Sequence, residues 1–167
     1  APEPPAPPAA PLAAPRRSPV LWVPSLYFAM GTPMTAVTVM SAVMYKNLGL
    51  SNAEIALYTG SMYLPWVIKP LWSPVVEMFR TKRFFVLAME LVMTVTFAAG
   101  ALALGTPHWL TGTIALFWLT GFPSATQDSA ADGVYISPMS HREQAAYVGI
   151  QGIFWNLGRI IATGLRV

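Results

Sequence analysis

The sequence contains no cysteine, so neither a disulfide framework nor a thiolate metal site can form, and nothing about redox compartment can be read from it. It is also short of charge. Asp, Glu, Lys and Arg make up 10% of its 167 residues, where a soluble domain uses about a quarter. With 54% hydrophobic residues and a mean hydropathy of +0.51, that shortage excludes a soluble globular domain. The two histidines, His108 and His141, fall in turns between apolar runs, and no second His or Cys stands at ligand spacing from either. No nucleophile–base arrangement and no phosphate-cradling glycine loop is present. The net charge of +3 comes from basic residues scattered in short segments rather than a patch, which excludes nucleic acid as a partner. What is left is a protein whose first partner is membrane lipid.

Apolar runs recur at the roughly 20-residue length that spans a bilayer. They predict helices over about Val20–Tyr45, Ala53–Met78, Phe84–Leu104, Trp109–Ile136, and Ala145 to the end. The expected fold is all-α, a polytopic membrane helix bundle with five spans. Residues 1–19, rich in Pro and Ala, have no face to bury and are expected to form a mobile, partly polyproline-II tail, with residues 20–167 as the bundle. Arg16-Arg17 precede a hydrophobic segment too long for a secretory signal, so that segment is expected to stay as a span. The numbering does not begin with methionine, which fits a start inside a longer reading frame.

Orientation follows from the cations. Arg16, Arg17, Arg80, Lys82, Arg83 and Arg142 fall on one side of the predicted spans and Lys46 on the other, so the amino terminus is expected in the cytoplasm of an inner-membrane protein. Trp22, Trp72 and Trp109 lie near span ends and are expected as interfacial anchors. Gly31-Thr32-Pro33 in the first run, and Pro65, Pro70 and Pro74 in the second, remove backbone donors and predict bent helices.

Charges inside the spans carry the chemistry. Asp128 and Asp132 lie four residues apart and share a helix face. An acid in a lipid-spanning helix costs about 2.5 to 3.5 kcal/mol, so this pair must face a partner, a cavity or an ion. Lys69 lies nine residues before Met78, and Asp128 eight before Ile136; at equal depth they are expected to pair, unless Lys69 snorkels to the headgroups. Glu77 and Glu90 are expected near the interface, where Glu90 can meet the cations of the 79–83 turn. Arg159, fourteen residues into the fifth run, is either a ligand for an anionic substrate or a salt-bridge partner of Asp128 or Asp132. Gly149, Gly152 and Gly158 read as close-packing contacts.

Two stretches carry a family resemblance. Leu64-Pro-Trp-Val-Ile-Lys-Pro-Leu-Trp-Ser-Pro-Val-Val-Glu77, with Ser124-Ala-Thr-Gln-Asp128 and Ala131-Asp-Gly133 downstream, resembles the AmpG-like branch of the major facilitator superfamily, which includes muropeptide permeases and relatives of acetyl-coenzyme A transporters. The resemblance covers nearly the whole chain after the tail. It implies a secondary transporter built from two six-helix halves around a central site and driven by a coupling proton, moving a small-molecule solute, with no cofactor and no enzymatic activity. The family's pattern carries over onto Lys69, Gln127, Asp128 and Asp132 as substrate or proton pathway. Ser73, Glu77, Lys82 and Arg83 are similar to the superfamily's cytoplasmic gate motif, although the motif usually opens on Gly and carries Asp where Ser73 and Glu77 stand. Trp155-Asn156 replaces an aromatic–arginine pair common in the permeases, and Arg159 follows one turn later.

Five spans are fewer than the six of one half or the twelve of a transporter. The chain is therefore expected to be the amino-terminal portion of one, inactive without its carboxyl-terminal half. The competing reading is an integral-membrane transferase holding Mg2+ and a pyrophosphate on Asp128-x-x-x-Asp132, since hard oxygen ligands on one helix face suit that ion.

Overall fold

The computed structural model describes residues 18–78 and 81–164. The tail through Arg16-Arg17, Phe79 and Arg80 of the basic turn, and the last three residues lie outside the described residues. Those described are helical and contain no strand: α1 (Pro19–Thr35), α2 (Ser41–Asn47), α3 (Asn52–Ser61), α4 (Leu64–Ile68), α5 (Ser73–Met78), α6 (Lys82–Ala103), α7 (Trp109–Ile136) and α8 (His141–Gly164).

α1 and α2 form one long rod joined by a wider π-helical turn, Ala36–Met40. Pro24 and Pro33 lie inside α1 and each withholds an N–H from the ladder. Hydroxyls of Thr35, Thr38 and Ser41 donate back to the carbonyls of Gly31, Met34 and Val37 through this stretch, a pattern that bends helices. The rod ends where Gly49 takes a positive φ of 90°, a conformation that disfavours any side chain.

The second apolar run departs from the continuous helix expected over Ala53–Met78. It breaks after Ser61, restarts at Leu64, tightens to a 3-10 turn over Lys69–Leu71, and resumes at Ser73. The prolines explain the restarts: Pro65, Pro70 and Pro74 each sit at the beginning of a piece, where a missing N–H costs nothing. α7 has the expected bounds. α8 starts at His141 rather than Ala145, because Ser140 and Glu143 build a capping box: Glu143 Oε2 accepts from the Ser140 backbone at 2.8 Å, and Ser140 Oγ accepts from the Glu143 N–H. Ser51 and Glu54 do the same for α3.

α7 is the centre of the bundle. α6 packs antiparallel along it, α1 crosses it, and α8 packs antiparallel to α1. Gly31 and Gly158 make that last approach possible: a Cβ on either would overlap the backbone carbonyl of Trp155 or Phe28. By contrast, Gly149 and Gly152, also expected as packing contacts, have open space beside them. One apolar cluster (Val23, Tyr27, Met30, Ala131, Tyr135, Met139) occupies one end, and another, around Val37, Tyr45 and Met62, the opposite end. Two rods, Pro19–Asn47 and Lys82–Ala103, are long and apolar enough to cross a membrane by length and composition. α6 leaves Leu87, Leu91, Val95 and Leu102 more than half exposed, an apolar face suited to lipid or to further protein.

Candidate functional site

The middle of α7 is made of small residues. Ser124, Ala125, Ser129, Ala130, Ala131 and Gly133 are all buried, so neighbouring backbones come close to it. At Gly121 a Cβ would lie 2.8 Å from Pro65 Cγ, which seats α4 on α7. From that contact the broken second run follows α7 in the same direction. Lys69 Nζ donates to Asp128 Oδ2 in the ion pair expected from their matched depth, and its snorkelling alternative is not what the chain adopts. Trp72 Nε1 donates to Thr126 Oγ1 at 3.1 Å, and the hydroxyls of Ser73 and Ser129 lie 2.8 Å apart. Trp72 is thus held on α7, where its ring also packs on Phe122, 5.7 Å between centroids.

One turn further along the same face of α7, Asp132 Oδ1 accepts from Tyr27 Oη at 3.2 Å. Tyr27 is almost fully buried and meets Tyr135 edge to face at 5.6 Å. Between α1, α7 and α8 lies a cavity of about 410 Å3, with Tyr27, Asp128, Asp132, Gln151 and Trp155 in its wall. That size is in the range of small-molecule sites. The wall thus holds one carboxylate neutralised by a lysine, a second held by a phenol, and the carboxamide of Gln151. Gly152, with no Cβ, opens the α8 side.

Other expected residues lie elsewhere. Gln127 is buried and turned to α6, where its Nε2 donates to Glu90 Oε2; Glu90 therefore meets an amide rather than the cations of the basic turn. Arg159 makes no ion pair with Asp128 or Asp132; its guanidinium stands over the Trp155 ring, 4.9 Å from the centroid, and the residue is exposed. Among the gate-motif residues, Ser73 bonds Ser129, Glu77 is exposed on α5, and the Lys82 stem lies across Gly133. Arg83 is exposed and borders a separate cavity at the start of α6.

Tyr27, Gln151 and Glu90 were not singled out as site residues by the sequence. Gln151 had a signal, being an uncharged polar residue inside an otherwise apolar run one turn before Trp155. Glu90 had one too: it lies eight residues from the start of α6, and Gln127 nine from the end of the antiparallel α7, so the two reach one level.

A helical bundle in which a lysine-paired aspartate and a second carboxylate line one open cavity is the kind of arrangement through which membrane proteins handle solutes and ions. The chain belongs to the BT1 family, whose family model matches residues 31–166. It is a family of membrane transporters of the major facilitator type that includes AmpG-like permeases. No solved structure matches the chain.

Proposed function

We propose that this protein is a proton-coupled secondary transporter for a polar or amphipathic solute such as a muropeptide-like compound, with the solute entering the cavity between α1, α7 and α8. The observation that carries the reading is the Lys69–Asp128 pair on the edge of a cavity that also contains Asp132. Five spans of the first half form one wall, and the second half of the same transporter supplies the facing one. Asp128 exchanges the coupling proton, with Lys69 as the cation that leaves or rejoins it between states. Asp132, Gln151 and Trp155 contact the solute. Ser73, Glu77, Lys82 and Arg83 act at the cytoplasmic gate, and the amino terminus is cytoplasmic.

The magnesium-dependent transferase is not favoured. Its two aspartates are engaged separately, Asp128 by an ammonium and Asp132 by a phenol, instead of converging on one ion. Among the described residues no third acidic, His or Cys ligand joins them.

Proteoliposomes holding the protein expressed from its complete reading frame test the proposal, with an amphipathic sugar-peptide as solute. Uptake should follow an inward proton gradient, and Asp128→Asn should abolish accumulation while leaving exchange at equal concentrations measurable. Unchanged gradient-driven accumulation in that variant removes Asp128 from the coupling role.

A further inference from the structure

A pair of cavities lies at the end of the bundle where α6 begins and α7 finishes, away from the Asp128 site. The larger, about 450 Å3, has a mainly apolar wall in which Thr81, Lys82, Arg83 and Ser137 are the polar members. The smaller, about 260 Å3, is mainly apolar, with Trp22, Leu26, Val86 and Leu87 in its wall. Arg83 and Val134 border both, so a chamber that carries two cations continues into a groove between α1 and α6.

The larger chamber is electropositive for three separate reasons. Lys82 crosses α7 at Gly133, where a Cβ would stand 2.7 Å from its Nζ, so the absent side chain is what lets the ammonium lie there. Arg83 is exposed beside it. Neither cation pairs with a carboxylate among the described residues, where the ion pair is Lys69–Asp128. The start of α6, a 22-residue helix, has no side-chain cap; the Phe84 N–H bonds the Thr81 carbonyl at 2.9 Å, and the positive end of the helix dipole lies beside the two cations. Lys82 also opens one of the two rods apolar enough to cross a bilayer, which puts the chamber at headgroup level.

From these features we propose that this end of the bundle is a binding site for an anionic phospholipid. Its phosphate is held by Lys82, Arg83 and the α6 amino terminus, and an acyl chain lies along Trp22, Leu26, Val86 and Leu87. Juxtaposed cations and an apolar groove select a ligand with both parts; a free anion would use only the chamber, and a zwitterionic lipid would bring a second charge of the wrong sign. The site is independent of which solute the protein moves.

The delipidated full-length protein in detergent, titrated with phosphatidylglycerol, phosphatidylcholine or inorganic phosphate and read by native mass spectrometry, tests this. Phosphatidylglycerol should bind in preference to phosphatidylcholine. Each headgroup cation is worth about five-fold, so Arg83→Gln should lose about five-fold of that preference and Lys82→Gln/Arg83→Gln roughly 25-fold. Leu87→Gln, at an exposed position, should weaken phosphatidylglycerol binding without altering the headgroup preference. Wild-type preference should also fall as salt rises, a measurement that needs no variant. Equal binding of the two lipids, a preference surviving in the double variant, or displacement of the lipid by inorganic phosphate at matched concentration would each overturn the site.

Discussion

Replacing Lys69 by alanine leaves the Asp128 carboxylate on α7 with no cation, and replacing Asp128 by asparagine leaves an ammonium on a proline-broken segment with no counter-charge. Two unit charges at about 4 Å attract by about 1 kcal/mol in water and about 4 kcal/mol at the effective dielectric of a protein edge. The side chains are 24% and 33% exposed, which places the pair between the surface class, worth about 0 to 1 kcal/mol, and the buried class, where losing one partner costs about 3 to 5. Part of the attraction offsets desolvation, so a coupling energy of about 1 to 3 kcal/mol is expected. Each single variant should therefore be destabilised by more than its share of the double. Thermal unfolding in detergent, followed by tryptophan fluorescence, measures this; for a chain of this size about 2 kcal/mol appears as a departure of roughly 4 to 8 °C from additivity. The exchanged pair Lys69→Asp/Asp128→Lys should recover part of the loss. Losses that add within about 0.5 kcal/mol would refute direct pairing.

Because the chain lacks cysteine, single-cysteine variants can map topology without background: Lys82→Cys should resist an impermeant reagent in intact cells and Lys46→Cys should react, and the reverse pattern inverts the orientation. Gly158→Ala should cost about 1 to 3 kcal/mol, because its Cβ meets the Phe28 carbonyl, whereas Gly149→Ala has open space and should be neutral or slightly stabilising in the same melts. Tyr27→Phe removes the bond to Asp132 and should cost about 1.5 to 3 kcal/mol in thermal unfolding, with little change in helicity by circular dichroism.

Depth was legible in the sequence and azimuth was less so. Counting residues from helix ends paired Lys69 with Asp128, since both apolar runs end where the count assumed. The same count would have paired Glu90 with Gln127, but neighbouring acids and bases at the basic turn offered a competing partner. Gln127 and Asp128 are adjacent and so project about 100° apart. One of them had to leave the face shared by Asp128 and Asp132, which is why Gln127 reaches α6 instead of the cavity. Of the two roles open to Arg159, the ion pair with Asp128 or Asp132 is not formed, because an aromatic face one turn away takes its guanidinium. The prolines announced where the second run would be disturbed. They did not reveal the break after Ser61, which arises two residues before the restart.

Thr126, Gln127, Asp128, Ser129 and Asp132 bond respectively to Trp72, Glu90, Lys69, Ser73 and Tyr27. At about 100° per residue, these side chains leave α7 in directions spread around its whole circumference. A turn or slide of that helix in any sense would strain bonds to at least two neighbours together, whereas a neighbour moving alone strains only its own. In kinematic terms α7 is the stator of this bundle. The short pieces bearing Lys69, Trp72 and Ser73 are each held to it by one such bond, so displacing any one of them would leave a single α7 side chain without its partner.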